Sequence, residues 1–159
     1  MKSIKSLLLI IVFGTALISG CKKQDTYDPA KQLEIDEQLI KTFIGANNID
    51  AERHPGTGIY YQIIEPGTGS FVYTTETQIK VKYTGRLLNG EVFDQNTAGI
   101  TFTLGNLIYG WQIGVPLIQK GGKIRLLVPS GYAYGPQSQG RVPPNSVLDF
   151  EIELQEIYQ

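Results

Sequence analysis

The distribution of apolar residues divides the chain into three parts. Residues 7–18 form an almost continuous apolar run that follows two lysines near the start of the chain. Residues 30–47 carry apolar side chains at helical spacing, and from residue 59 onward apolar positions form short runs or alternate with polar ones. These three patterns indicate, in that order, a targeting segment, an amphipathic helix and a set of β-strands.

The first apolar run is too short for a comfortable membrane span and has the length of a signal-peptide core. It ends at Ile18-Ser19-Gly20, directly before Cys21, the only cysteine of the chain. This segment resembles the lipobox of bacterial lipoproteins, in which the cysteine is lipidated and becomes the first residue of the mature protein. We therefore predict a signal peptide over residues 1–20 and a lipid anchor on Cys21. A plain secretory signal with an unrelated cysteine is the alternative.

The predicted location is the cell envelope, at the outer membrane, on its periplasmic or surface side. Residues 21–58 are interpreted as a lipidated tether, an amphipathic helix over residues 30–47 and a linker that holds His54. The helix prediction rests on a four-residue apolar spacing with two flanking positions: Ile35, Leu39, Phe43, Ile40 and Ile44. The helix either packs on its own domain, acts as a stalk, or mediates a dimer or a partner contact. His54 is interpreted as a solvated loop residue.

The remaining chain, residues 59–159, predicts one domain. Strands are predicted at residues 59–65, 78–88, 91–94, 101–104, 122–129 and 147–157. Asn89-Gly90 is a strong hairpin signal, and residues 108–117, which show no alternation, predict a short helix that ends near Pro116. Five or six strands with one short helix give an α+β fold, an antiparallel sheet folded over a helix.

Composition narrows the chemistry. A length of 159 residues fits one domain better than two, and a formal net charge of −1 gives no basic excess for nucleic-acid binding. One cysteine and one histidine exclude an internal disulfide, a cysteine-rich metal site and most schemes with a Ser-His-Asp triad or several histidine ligands. Neither a phosphate-binding loop nor a nucleophile-elbow motif is present. The sequence predicts no cofactor and no metal.

Aromatic and apolar residues are placed at turns and strand ends, where they are interleaved with glycines. The segments at residues 81–85 and 89–94, and then 102–105 and 107–111, resemble the opening and central signatures of FKBP-type peptidyl-prolyl cis-trans isomerases. Four further segments continue the resemblance in the family's order: residues 121–129, 132–135, 142–144 and 148–154. The resemblance therefore extends over residues 59–159. The lipobox and the helix that precede this domain resemble those of bacterial lipoprotein members of the family.

The resemblance implies a curved antiparallel sheet wrapped around one short helix, with a substrate pocket between that helix and the concave face. It implies four residues with a catalytic role, which are Tyr83, Asp94, Ile108 and Tyr134. It implies five residues that bind the substrate: Phe93, Phe102, Leu107, Trp111 and Phe150. Among these, Trp111 would form the floor, the Ile108 N–H and the Tyr134 hydroxyl would donate to the substrate, and Asp94 would lie at the edge. Ordinary core packing is the alternative for the apolar members.

The chain departs from the family pattern near the rim of the implied pocket. Only Asn106 separates Gly105 from Leu107, which makes this connection shorter than usual. Ile100, Tyr109 and Arg141 stand where the family commonly has an aromatic, a basic and an apolar residue. These changes affect the preference for the residue before proline and for macrolide inhibitors, which the resemblance allows as ligands. They leave the floor of the pocket intact.

The expected activity is rotation of X-Pro bonds in exported proteins, with proline-containing polypeptides as substrates. The rotation barrier of ~18–20 kcal/mol arises from amide resonance, and removing water from the amide lowers it without a nucleophile, metal or covalent intermediate. Two alternatives stay open. The first is a non-catalytic periplasmic chaperone or binding module for proline-containing segments that uses the same pocket. The second is a structural lipoprotein that only retains the fold.

Overall fold

The computed structural model describes residues 27–159. The predicted signal peptide and Cys21 lie outside the described residues. Residues 27–159 contain two α-helices, α1 (Pro29–Asn47) and α2 (Tyr109–Gly114). The strands are β1 (Glu52–Arg53), β2 (Tyr60–Glu65), β3 (Gln78–Leu87), β4 (Val92–Thr103), β5 (Lys123–Val128) and β6 (Leu148–Tyr158). Short 3₁₀ turns lie at Leu104–Asn106, Val115–Leu117 and Ser130–Tyr132. Neither helix of this part of the chain combines the length and the hydropathy that a membrane crossing needs.

The six strands form one antiparallel sheet in the order β1-β2-β5-β6-β3-β4. The sheet is open, with β1 and β4 at its edges. The predicted α+β fold, an antiparallel sheet with one short internal helix and a preceding helix, is confirmed. The predicted linker at residues 51–58 is partly regular, because β1 pairs with β2 through Glu52–Tyr61 and Arg53–Tyr60. His54 follows β1 in a turn, with Nδ1 3.2 Å from Thr57 Oγ1.

The prediction of two separate short strands at residues 91–94 and 101–104 is wrong. They are the two ends of β4, a single strand of 12 residues that pairs with β3 along most of its length. The middle of β4 is polar, and Gln95 and Thr97 are exposed because the strand lies at the edge of the sheet. Breaks in register near Tyr83 and Gly85 bend the pair. An exposed edge strand lacks the apolar alternation from which strands are predicted.

Two glycines allow α2 to lie directly on the inner face of the sheet. A Cβ at Gly110 would lie 2.5 Å from Val128 Cγ1, and one at Gly114 would lie 2.5 Å from Leu126 Cδ1. Gly110 and Gly114 are four residues apart and share one face of the helix, and Val128 and Leu126 are two residues apart and share one face of the strand. Each glycine therefore lies opposite one of the two strand residues. This approach carries the neighbouring Trp111 into the inner face, where it is only 4% exposed.

Helix α1 covers the opposite face of the sheet, and it packs on its own domain. Asp28 caps its start by accepting hydrogen bonds from two backbone N–H groups, and Asn48 ends it in a left-handed conformation. Ile40 is fully buried against Tyr60, Leu127 and Val147.

The apolar stripe predicted for α1 differs from the face that the helix buries. Ile35 and Leu39 are 46% and 47% exposed, whereas Asp36 is fully buried. The sequence periodicity does not detect this because the buried face contains a carboxylate that finds hydrogen-bond donors on the domain.

Helix α1 also lies over a partly buried charged pair on the outer face of the sheet. Asp149 is 2% exposed and accepts two hydrogen bonds from the Arg125 guanidinium, at 2.9 and 2.7 Å. The same guanidinium lies 5.8 Å from the centre of the Phe43 ring of α1. The bidentate geometry satisfies both ions, which is the condition under which a buried pair is tolerated.

We predict opposite effects for the same substitution at two helical glycines. Gly114→Ala lowers the free energy of unfolding by about 1–3 kcal/mol, because the new Cβ has to displace the buried Leu126 side chain. Gly45→Ala in α1 raises the free energy by about 0.5–1 kcal/mol, since a Cβ there meets no atom within 4 Å and alanine favours the helix. Urea unfolding followed by circular dichroism measures both variants. Equal effects would contradict the close approach of α2 to β5.

Candidate active site

A cavity of about 260 Å³ opens between α2 and the inner face of the sheet. Its size is near the lower end of the ~300–1,000 Å³ that small-molecule sites occupy, which suits one ring with its adjoining peptide groups. The lining residues are Tyr83, Phe93, Asp94, Phe102, Asn106, Leu107, Ile108, Trp111, Tyr134 and Phe150. The structure thus brings together all nine pocket residues predicted from the sequence, and Asn106 joins them. Their roles stay predictions.

The base of the cavity is Trp111, which three other rings contact. The ring centres of Tyr83, Phe102 and Phe150 lie 5.2, 6.3 and 5.4 Å from that of Trp111, with interplanar angles of 86°, 88° and 89°. Perpendicular arrangements bring the positive edge of one ring to the negative face of another, and each adds about 0.5–1.5 kcal/mol. The indole is therefore held in one orientation while the mouth of the cavity stays open.

The wall next to Trp111 depends on a glycine in the middle of β3. A Cβ at Gly85 would lie 2.6 Å from Phe93 Cζ and 2.8 Å from Phe150 Cε1. The two phenyl rings meet edge to face above this glycine, with their centres 5.6 Å apart. The role of Gly85 was not predicted, although a glycine inside a strand often marks a close approach.

Polar groups lie at the edge of the cavity. The Tyr83 hydroxyl donates to Asp94 Oδ2 at 2.6 Å. Burial raises the pKa of the Tyr83 phenol, and the hydrogen bond to Asp94 and its negative charge raise it further. Burial, and then the Asp94 charge, also raise the pKa of the Tyr134 phenol. Both phenols are therefore neutral near pH 7 and can donate hydrogen bonds.

The rim is formed by the turn that leads into α2. Ile108 is the residue before the helix, and its carbonyl accepts from the Trp111 and Gln112 N–H groups at 2.9 and 3.2 Å. The Ile108 N–H has no acceptor among residues 27–159, as is usual for the first N–H groups of a helix. It is therefore free to bind a carbonyl group of a ligand.

Gln112 holds this turn in place. Its side-chain Nε2 donates to the Leu107 carbonyl at 2.7 Å and to the Gly105 carbonyl at 3.2 Å. Gln112 was not predicted from the sequence to have a role at the site. The signal available was a polar side chain beside a tryptophan in a short, otherwise buried helix.

Of the positions that depart from the family pattern, Asn106 in the short connection lines the cavity, whereas Ile100, Tyr109 and Arg141 do not. Tyr109 is 66% exposed and Arg141 is also exposed, whereas Ile100 is partly buried against the core. Within residues 27–159 no group of three or more histidine, cysteine, aspartate or glutamate side chains is arranged to hold a metal ion.

Comparison with known proteins identifies the family. A family model for FKBP-type peptidyl-prolyl cis-trans isomerase matches residues 72–155, more than half of the chain. FK506-binding protein 1 of Saccharomyces cerevisiae is 41% identical over 97 residues, which cover 57% of this chain and 85% of the yeast protein. The crystal structure of a peptidyl-prolyl cis-trans isomerase from Pseudomonas syringae matches with a TM-score of 0.67 and 32% identity, covering 84% of this chain and 99% of that chain. The chain belongs to the FKBP-type family.

Some curated bacterial relatives are longer than this chain. A probable FKBP-type peptidyl-prolyl cis-trans isomerase of Haemophilus influenzae is 39% identical over 105 residues, which cover 64% of this chain and 43% of that protein. The chain spans about two fifths of the length of the bacterial curated relatives that it matches.

The raised pKa of Tyr83 predicts a loss of stability at alkaline pH. An unfolded tyrosine loses its proton at about pH 10, whereas Tyr83 in the folded chain keeps its proton to a higher pH. Stability from this group is therefore complete below about pH 10 and is lost as the pH rises through the folded pKa. Urea unfolding at increasing pH measures this loss. In Tyr83→Phe the decline becomes shallower, and an unchanged slope would contradict the assigned environment.

Proposed function

We propose that this protein catalyses cis-trans isomerisation of X-Pro bonds in exported polypeptides, without a covalent intermediate. The observation that carries the proposal is the cavity at Trp111, which is lined mainly by aromatic and aliphatic side chains and has the Ile108 N–H and the Tyr134 hydroxyl as donors. Such a site accepts a prolyl ring and leaves the adjoining peptide carbonyls near the donors. Membership of the FKBP-type family supports the same conclusion.

The physical problem is the partial double bond of the prolyl amide. Its rotation barrier is ~18–20 kcal/mol, and uncatalysed X-Pro bonds exchange in tens to hundreds of seconds. Resonance places negative charge on the carbonyl oxygen, and water stabilises that planar form. An apolar cavity removes this water, so the twisted state, in which resonance is broken, becomes relatively more favourable. Lowering the barrier by about 5–7 kcal/mol corresponds to roughly 10⁴–10⁵-fold acceleration.

The donors at the edge orient the substrate without exchanging protons with it. The Ile108 N–H donates to one substrate carbonyl, and the Tyr134 hydroxyl donates to another. Asp94 accepts a hydrogen bond from the Tyr83 hydroxyl. In the proposed complex it lies beside the carbonyl of the rotating bond. None of these groups has to change its protonation state, so the reaction does not need the nucleophiles that the sequence lacks.

An isomerisation assay on short X-Pro peptides tests this proposal with the chain from Gln24 onward. The chain accelerates cis-to-trans exchange, and Tyr134→Phe and Asp94→Ala each lower kcat/KM by about three- to tenfold, since each removes one hydrogen-bonding group. Tyr158→Phe is the matched control, because Tyr158 is 44% exposed at the end of β6 and does not line the cavity. It leaves kcat/KM unchanged.

Two results would overturn the catalytic proposal. The first is no acceleration over buffer at micromolar protein, and the second is complete loss in a folded Asp94→Ala variant, which would indicate acid–base chemistry. Trp111 is the only tryptophan of the chain, so its fluorescence reports peptide binding separately. Binding without acceleration would support the alternative, a non-catalytic chaperone or binding module for proline-containing segments.

A macrolide ligand for the same cavity is a further part of the proposal. The yeast relative is named for binding FK506, and the aromatic base of the cavity offers the apolar surface that such a ligand needs. Ile100, Tyr109 and Arg141 depart from the family pattern and do not line the cavity, so they tune affinity from outside it. Competition between a macrolide and an X-Pro peptide, followed by Trp111 fluorescence, measures this affinity.

We also propose that Cys21 is lipidated and holds the protein at a membrane of the cell envelope. The support is the sequence around Cys21, and each buried methylene of an acyl chain contributes ~0.8 kcal/mol to anchoring. Cells grown with labelled palmitate incorporate label into the wild-type protein and none into Cys21→Ala. Label that survives in the variant would contradict the proposal.

A further inference from the structure

A fully buried carboxylate on α1 contacts the loop that carries Tyr134. Asp36 Oδ2 accepts a hydrogen bond from the Ser130 N–H at 2.7 Å and another from the Ser130 hydroxyl at 2.6 Å. Asp36 Oδ1 accepts from Gln32 Nε2 at 2.7 Å. All three partners are donors, and a carboxylate is an acceptor-only group that can satisfy all of them. Such short bonds to a carboxylate belong to the strong class.

Ser130 transmits this contact to Tyr134. Its carbonyl accepts hydrogen bonds from the Ala133 N–H at 2.9 Å and from the Gly135 N–H at 2.8 Å. These two residues flank Tyr134. Ser130 is therefore bound to Asp36 through its N–H and hydroxyl, and to both neighbours of Tyr134 through its carbonyl.

The side chain of Tyr134 has no polar anchor among the described residues. Its hydroxyl makes no hydrogen bond to any of residues 27–159, so backbone and ring packing alone fix its position at the cavity. The chain after it gives little support, because residues 136–141 are all exposed. Two further backbone hydrogen bonds hold this segment: the Gln137 N–H donates to the Tyr134 carbonyl at 3.2 Å, and the Asn145 N–H donates to the Gly135 carbonyl at 2.8 Å.

We propose that Asp36 is a positioning residue for Tyr134, and that α1 thereby belongs to the functional unit of the enzyme. The role of Tyr134 in catalysis rests on the proposed isomerase function, whereas the contact from Asp36 to its loop does not. The carboxylate fixes Ser130, Ser130 fixes the backbone on both sides of Tyr134, and the phenol is held over the mouth of the cavity.

Three variants separate this role from a general effect on folding. Asp36→Ala removes all three hydrogen bonds. Asp36→Asn keeps a side-chain oxygen that accepts from Ser130. The new Nδ2 then faces Gln32, whose amide can rotate so that its Oε1 accepts from Nδ2. Glu37→Ala is the matched control: it removes the adjacent carboxylate of α1, which binds Arg53 of β1 at 2.6 and 3.2 Å and does not contact Ser130.

The first measurement does not depend on activity. Amide hydrogen exchange reports on the two N–H groups that bind the Ser130 carbonyl, those of Ala133 and Gly135. In the chain from Gln24 onward, Asp36→Ala speeds exchange at both amides. Asp36→Asn and Glu37→Ala leave both exchange rates close to those of the wild type. Unchanged exchange in a folded Asp36→Ala variant would overturn the proposal whatever the activity.

The second measurement is a double-mutant cycle on kcat/KM. Asp36→Ala lowers kcat/KM about three- to tenfold, as Tyr134→Phe does, because both weaken the same hydrogen bond to substrate. In the Tyr134→Phe background Asp36→Ala has little further effect, since residues that act through one group are not additive. A purely structural role gives the same loss in both backgrounds and would overturn the proposal. Asp36→Asn restores most of the activity.

A milder variant keeps the test decisive if Asp36→Ala does not fold. Ser130→Ala removes only the hydroxyl donor to Asp36 and leaves the N–H donor in place. Smaller increases in exchange at Ala133 and Gly135 support the proposal, and no increase overturns it. An inactive wild-type chain with the expected exchange pattern would overturn the isomerase function alone and leave the contact between α1 and the loop established.

Discussion

The close contact of α2 with β5 determines where the site lies. Gly110 and Gly114 present no side chain toward Val128 and Leu126, so the helix rests on the strand itself. Trp111 is thereby placed against the inner face of the sheet, where three aromatic rings meet it edge to face. The turn before the helix is fixed by the same placement, and it brings the unpaired N–H of Ile108 to the rim.

The chemistry proposed for the site rests on burial rather than on reactive groups. In that proposal an aromatic base excludes water. The donors at its edge are the Ile108 N–H and the Tyr134 phenol, whose pKa is raised, while the Tyr83 phenol donates to Asp94. A site of this kind favours a less polar, twisted amide by desolvation, and it needs neither a metal nor a nucleophile. The scarcity of histidine and cysteine in the chain is therefore compatible with catalysis, although it excludes many other enzyme mechanisms.

The sequence predicted the residues around the cavity because their motifs occur in a fixed order, and it predicted most strands from their alternation. It did not predict the continuous strand β4, whose polar middle lies at the sheet edge. It also did not predict that Asp36 and Asp149 are buried. Periodicity assigns charged positions to solvent, whereas here each carboxylate meets donors far away in the chain, Ser130 and Arg125. Such pairings depend on the assembled fold and leave no local signal.

The contact between Asp36 and Ser130 joins positions 94 residues apart, so it closes a long loop of the chain. Contacts of large sequence separation form late, since the entropy of loop closure has to be offset by structure already in place. During synthesis α1 precedes the sheet, and Asp36 meets its donors on Ser130 only after most of the strands have been made. The loop that carries Tyr134 therefore reaches its final geometry near the end of folding, and excising the domain without α1 would leave two donors of Ser130 without their partner.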